Sequence, residues 1–418
     1  MIKYKIKNVK AKKNQLKLII VLINLLIYIN IKINNYSYLI AKSKDIYLND
    51  TDKISLYSKN KVSNREYKSD IIISGKNFID KCLNKEYSQK FYKSELKPIY
   101  SSIIPVFNCE KTISNAICSI INQNFTNYEI ILVDDFSSDN SSLYIKQIQE
   151  IDKRIKLIKN KRNMGSLYSR SIGVLISKGE FILPLDNDDM FFNYDIFNFI
   201  YKYSKDYDFD IVGFRAFQIG SYYDKMENIV DLYNYKYYPE ILIVYQPELS
   251  TWMININGRY RTHDVTIWAK SVKKDIYKKA TLNLGRKRYS LFVSWAEDTI
   301  INFIIFNYAK SFIFLNKYGI IHLDNKSTAS YTIPYDIKLF GEIYLADIIY
   351  EFSKNNSDKN YAVKSAYGLR NKFKRNDAMK NKTNLLYYKS LLNKLLKSQY
   401  ISKKYKNKIR INLKSFLS

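Results

Sequence analysis

The sequence predicts an α/β fold, a mostly parallel β-sheet flanked by helices, and three observations predict it. Between Pro98 and Lys205, short apolar runs alternate four times with amphipathic stretches, the pattern of consecutive βα units. Two of those runs end in acids, Asp134-Asp135 and Asp186-Asn187-Asp188-Asp189, at the edge where an open α/β sheet gathers its ligand loops. The chain has 418 residues at 46% hydrophobic composition. That is enough to bury a core, and it excludes the disordered and collagen-like classes.

Taken in order, the run IYSSIIPVF predicts a first strand ending at Phe107, followed by the helical stretch EKTISNAICSIINQ. YEIILVDDFSSD predicts a second strand before SLYIKQIQEIDK, and RIKLIKN a third, leading through NMGS into LYSRSIGVLISKG. EFILPLDNDD predicts a fourth, before YDIFNFIYKYSK, and DIVGFRAFQIG from Asp210 a fifth. The aromatic stretch after it, to Ser250, yields no assignment. TIWAKSVKKDIYKKA then reads as a short strand and helix, EDTIINFIIFNYAK as a helix, and SFIFLNKYGIIHL as one or two strands. Beyond Tyr331 the chain is helical, lysine-rich and expected to be a solvated appendage.

Outside these units the chain is basic. The formal charge is +29, but the lysines are spread along the chain beside abundant Asn, Ile and Tyr, which marks compositional bias more than a polyanion-binding module. No clustered basic and aromatic patch identifies a nucleic-acid binder, so no specific nucleic-acid partner is expected. Cys82, Cys109 and Cys118 make no CxxC pair, and His263 and His322 cannot build a multi-histidine zinc site. An acid-free basic segment precedes the apolar run LKLIIVLINLLIYINI, Leu16 to Ile31. A positive flank before such a run predicts a signal or signal-anchor. The expectation is a membrane-anchored protein facing a secretory ER or Golgi lumen, with a cytoplasmic location as the alternative. The domain organisation that follows is a basic N-terminus and anchor over 1–41, a stem over 42–97, a catalytic domain over 98–330 and the helical tail over 331–418.

The D-x-D spacing of Asp186 and Asp188 has a chemical reason. Hard divalent cations such as Mg²⁺ or Mn²⁺ bind carboxylate oxygens and bridge to substrate phosphates. Alone the pattern is weak, because an aspartate after a strand is also an ordinary helix cap. A second acid pair at the same sheet edge strengthens it.

The residues SIIPVFNCEKTISNAICSIINQNFTNYEIILVDDFSSDNS and NMGSLYSRSIGVLISKGEFILPLDNDD resemble the donor-binding half of family 2 glycosyltransferases, and TIWAKSVKKDIY and SWAEDTIINFIIF resemble the acceptor half. The resemblance implies a GT-A, Rossmann-like fold and an inverting, metal-dependent transfer from a nucleotide-sugar, usually a UDP-sugar, to a glycan or glycoconjugate acceptor. It places Pro105, Val106 and Phe107 along the nucleotide, with Phe107 replacing a common Tyr. Asp135 matches the carboxylate that receives the base, and Phe136 stands where Gly is common. Arg170 matches a helix arginine facing the donor, and Asp186 and Asp188 match the D-x-D. Asp188 is the favoured ligand for Mn²⁺ or Mg²⁺, and Asp189 a substitute for it. Asp298 matches the general base, with Glu297 its neighbour at the acceptor site. His322 is a further candidate metal ligand, and Trp252, Trp268 and Trp295 flank the acceptor side. Against these roles stand ordinary ones: first-turn acids at a helix start for Glu297 and Asp298, a packed histidine, and buried tryptophans. A sugar nucleotidyltransferase would need a glycine-rich phosphate loop, which SIIPVFNCE lacks. A catalytically inactive scaffold subunit remains the alternative function.

Overall fold

The computed structural model describes residues 97–219, 229–231, 241–246, 249, 266–293, 295–323, 334–352 and 382–397, with 406, 407 and 410. The anchor candidate at Leu16 to Ile31, the stem, Trp252 and His263 lie outside them.

The first strands form as the apolar runs predict: β1 (Tyr100–Val106), β2 (Tyr128–Asp134), β3 (Ile155–Lys159) and β4 (Phe181–Pro184). Helices α1 (Ile113–Ile121), α2 (Ser141–Ile151) and α3 (Ser166–Ile176) connect them. Every residue of β1 and β2 is buried. This is why both read as continuous apolar runs: a parallel strand is covered on both faces. At the sheet edge, β3 keeps lysines on its outer positions, the usual protection of an exposed strand.

After β4 come β5 (Met190–Phe191), α4 (Ile196–Tyr201) with a π-turn over Lys202–Asp206, and β6 (Ile211–Ile219). Two short strands follow, β7 (Ile229–Asp231) and β8 (Ile241–Tyr245), in the stretch the sequence leaves unassigned. Then come β9 (Lys270–Lys273), α5 (Lys274–Leu284), α6 (Arg286–Tyr289), α7 (Glu297–Tyr308) and β10 (Ser311–Leu323). The described chain closes with α8 (Tyr335–Phe352) and α9 (Lys382–Lys397).

The strand order is β3-β2-β1-β4-β9-β6-β10-β5, with β7 on β6 and β8 on β10. The sheet is mixed, which corrects the expectation of a mostly parallel one. β1–β4 pair in parallel and so do β6 and β10, but β9 lies antiparallel between β4 and β6. The physical reason is connectivity. Parallel neighbours need a long crossover, and periodicity reveals a strand without revealing which sheet edge the chain enters it from.

Two further expectations change. Among the described residues no helix is long and apolar enough to cross a membrane, so the lumen-facing, membrane-anchored assignment is not upheld. The tail is not wholly a solvated appendage either. In α8, Leu339, Ile343, Tyr344, Ala346, Ile348 and Ile349 are buried, and the helix packs on α7. Its apolar positions cover more than one face, so it cannot be left in water without exposing that area.

α8 comes closest to the turn ahead of α7 at Gly341, where an added Cβ would stand 2.1 Å from the Trp295 carbonyl oxygen. Gly341→Ala is expected to lower stability by about 1–3 kcal/mol, the usual cost of overpacking, as measured by urea unfolding. An unchanged midpoint would mean that α8 yields without cost.

Candidate active site

Register places the acids. Val106 pairs with Asp134, and Ile103 with Pro184, so the residues just after β1, β2 and β4 emerge at one sheet edge. There Asp135 is buried and pins the loop ahead of α3. It accepts hydrogen bonds from Asn160 Nδ2 at 2.7 Å, Met164 N at 2.8 Å and Gly165 N at 2.6 Å. The Asn-Met-Gly-Ser signal thus has a local cause: Gly165 turns the chain at φ 87° into α3, a conformation that costs glycine little. A carboxylate offers about four acceptor sites, so Asp135 keeps capacity for a further donor. Pro105 and Val106 are buried and meet the site through backbone. The Pro105 oxygen accepts from Asn187 Nδ2 at 3.0 Å, and the Val106 oxygen from Asp135 N at 2.7 Å. Phe107 is exposed.

The centre of the site is Arg170, one turn into α3 and buried. Its guanidinium bonds Asp186 through Nη2, Asp298 through Nη1 at 2.8 Å, and lies 3.5 Å from Glu297. Residues far apart in sequence are joined by one fork of donors, whose fixed geometry suits several carboxylates at once. Asp298 also accepts from Ile267 N at 3.1 Å, and Glu297 from Ser166 Oγ at 2.7 Å. Both acids open α7, whose N-cap Ala296 is left-handed at φ 62°. Burial, with Glu297 and Asp186 nearby, raises the Asp298 carboxyl to about 7 against the pull of Arg170. The helix start favours the charged form by only about 0.3–1 kcal/mol, and burial outweighs it.

On the other side of Asp186 lie Asp188 and Asp189. Carboxylate oxygens of the three acids fall within 4.8 Å of one another. Burial and the neighbouring Asp189 and Asp186 push Asp188 up to about 8, and burial raises Asp189 as well. Asp189 Oδ2 is buried and accepts no hydrogen bond. Glu129, at the opposite sheet edge, shows the contrast. It too is buried, but Lys156, Ser101 and the Lys178 amide supply donors and hold it below the usual carboxylate range. The three aspartates have an excess of negative charge and an unused oxygen, and their hard donor set fits Mg²⁺ or Mn²⁺.

His322 arrives through β5, which the sequence does not reveal because it is only two residues long. The antiparallel register pairs Ile321 with Met190, so the next pair is His322 with Asp189, and Nδ1 lies 2.9 Å from Asp189 Oδ1. Trp268 stacks on the imidazole at 5.3 Å and 15°. Burial alone would lower its pKa, but Asp189, with Asp188 and Asp186 beyond, raises it to about 9. The raised value favours an Nδ1 bond donated to Asp189. Among the described residues the metal-capable group is Asp186, Asp188 and Asp189. Trp295 sits with the Lys338 ammonium 5.0 Å from its ring centre.

The chain also resembles known proteins in sequence and in fold. Residues 101–265 match the family model Glycosyl transferase family 2. Over that stretch the chain is similar to family 2 glycosyltransferases. A segment of 93 residues is 40% identical to an uncharacterized glycosyltransferase of Haemophilus influenzae, covering 22% of this chain and 29% of that one. A segment of 92 residues is 38% identical to the UDP-Glc:alpha-D-GlcNAc-diphosphoundecaprenol beta-1,3-glucosyltransferase WfgD of Escherichia coli, covering 22% and 36%. The chain thus spans about a third of the length of these relatives. Among solved structures, S. aureus TarS 1-349 in complex with UDP-GlcNAc is similar with a TM-score of 0.51 at 15% identity, over 76% of this chain and 88% of that one. At that identity the likeness concerns the fold.

Proposed function

We propose that the chain is an inverting glycosyltransferase that moves a sugar from a nucleotide-sugar, a UDP-sugar first, to a hydroxyl of a glycan or glycoconjugate acceptor. The observation that carries the reading is the meeting of two acid groups on Arg170: Asp186 from the loop after β4, and Glu297-Asp298 from the start of α7. UDP as the nucleotide draws support from the donor named for WfgD and the ligand of the TarS structure.

Asp186, Asp188 and Asp189 would hold Mg²⁺ or Mn²⁺, which when bound offsets charge on a departing diphosphate. The chain's own residues do the rest. Asp135 stands at the base end of the donor and the acid loop at its phosphate end, with Pro105 to Phe107 between them. Asp298 Oδ1 and Oδ2 each hold one protein donor, which leaves acceptor capacity for the proton of an attacking hydroxyl. As the acceptor oxygen bonds the anomeric carbon, the sugar's bond to the diphosphate oxygen breaks on the opposite side, and Asp298 takes the hydroxyl proton. Arg170 holds Asp298 in place, and Glu297, tethered to Ser166, borders the acceptor.

The test is a panel of nucleotide-sugars with and without Mn²⁺ or Mg²⁺, read as nucleotide release and by Mn²⁺ titration. Cation-stimulated release from one donor is expected, and Asp188→Asn should weaken Mn²⁺ binding about tenfold or more, since even outer-sphere losses cost that much. No release from any donor would favour the scaffold reading, and unaltered Mn²⁺ binding in the variant would move the cation off Asp188.

A further inference from the structure

The loop after β2 holds a phenylalanine where the fold asks for none. Phe136 has φ 72° and leaves 60% of its surface exposed. Left-handed backbone is ordinary for Gly or Asn but an outlier for a bulky residue, and exposing a phenyl ring forgoes its burial. Among the described residues the other non-glycine positions with positive φ are Asn, Asp or Ala. Strain retained in a bulky, exposed side chain beside a site marks a functional position.

The turn that carries it borders the acid edge of the sheet. The turns after β1 and β2 are laced together: Asn108 N donates to Ser137 Oγ at 3.1 Å, Ser138 N to Asn108 Oδ1 at 2.9 Å, and Ser137 N to Asp134 Oδ1 at 2.8 Å. Two exposed rings, Phe107 at 45% and Phe136 at 60%, are thereby presented on one rigid pair of turns. Through Pro105 and its bond to Asn187, the same stretch of β1 reaches the acid triad. A ligand spanning this edge has a flat apolar group at one end and a cation-bridged anion at the other, which is the build of a nucleoside diphosphate.

We propose that Phe136 is a stacking residue of the donor subsite, its ring lying against the nucleobase. The inference rests on the glycosyltransferase reading above and adds to it a specific source of donor affinity. A phenyl ring donates and accepts no hydrogen bonds, so Phe136 strengthens binding of any base and leaves discrimination between bases to Asp135 and its neighbours.

The experiment uses the full chain with Mn²⁺ and isothermal titration of UDP and of pyrophosphate, which lacks the base. Phe136→Gly relieves the backbone strain, so its melting temperature should equal or exceed that of the wild type. Its UDP affinity should fall about 5- to 150-fold, the range for losing one base–aromatic stack, with pyrophosphate affinity unchanged. Phe136→Tyr should restore UDP binding. If the glycine variant melts lower, Phe136→Asn, which also tolerates this backbone, carries the same comparison. Equal UDP affinity in variant and wild type overturns the inference alone, and so does a parallel loss of pyrophosphate affinity, which would make Phe136 a loop-shaping residue. A wild type that binds none of UDP, GDP, CDP or ADP overturns the donor reading itself.

Discussion

Asp298→Asn is expected to lower kcat/KM for sugar transfer by about 10²–10⁴-fold, the usual contribution of a positioned general base, while nucleotide binding is retained. The amide keeps the shape and the Arg170 contact but has no lone pair able to take a proton. The wild type should show a matching pH profile. Buried beside Glu297 and Asp186, the Asp298 carboxyl titrates near 7, so kcat/KM should rise about tenfold per pH unit below 7 and level off above it. Folding stability should move the other way. This group binds its proton more tightly folded than unfolded, so its contribution is full below the ordinary carboxylate range and is lost as pH rises through 7. Transfer within tenfold of the wild type in the Asn variant, at an unchanged melting temperature, would remove Asp298 from the role.

Arg170→Met is expected to be the most destabilising single change in the site. Removing one partner of a buried ion pair strands the other, at about 3–5 kcal/mol. Arg170 is 6% exposed, but Asp186, Glu297 and Asp298 keep 27%, 17% and 21% of their side chains in contact with solvent. Water therefore relieves part of the stranded charge, which puts the loss nearer about 3 kcal/mol. Unfolding in urea at pH 8 and at pH 5 separates charge from packing. At pH 5 the raised Asp298 carboxyl takes up a proton and the variant should recover part of its deficit, whereas a packing defect would persist at both. Loss of stability equal at the two pH values would mean that Arg170 acts through its stem.

Much of this candidate site is legible in the sequence. The apolar runs around Ile104, Ile131 and Leu183 mark strands because both faces of those strands are covered, and a strand end is where an acid is costly unless it has a ligand or a donor. That logic singled out Asp135, Asp186 and Asp188, and the family likeness added Arg170, Glu297 and Asp298. Other features were not legible. β5 is too short for any periodicity, so its pairing with β10, and with it the contact between His322 and Asp189, left no mark in the sequence. Gly341 looked like any helix glycine until Trp295 was found against it. The burial of Leu339 to Ile349 depends on α7 being there to receive them. The lumenal location rested on a run of residues whose fate local composition does not decide.

The amino-acid sequence by itself determined the alternation of strands and helices and the acids gathered at the carboxyl edge of the sheet. These follow from short-range rules: which side chains tolerate burial, which acids a strand end can carry, where glycine must turn the chain. Only the tertiary structure decided that Arg170 would hold the D-x-D loop and the Glu297-Asp298 helix start together, that β9 would run against its neighbours, and that His322 would pair with Asp189. The reason is that each is a matter of distance between groups more than a hundred residues apart, or of strand direction. Electrostatic energy in a buried site depends on such distances, whereas sequence patterning reports only whether a position is buried.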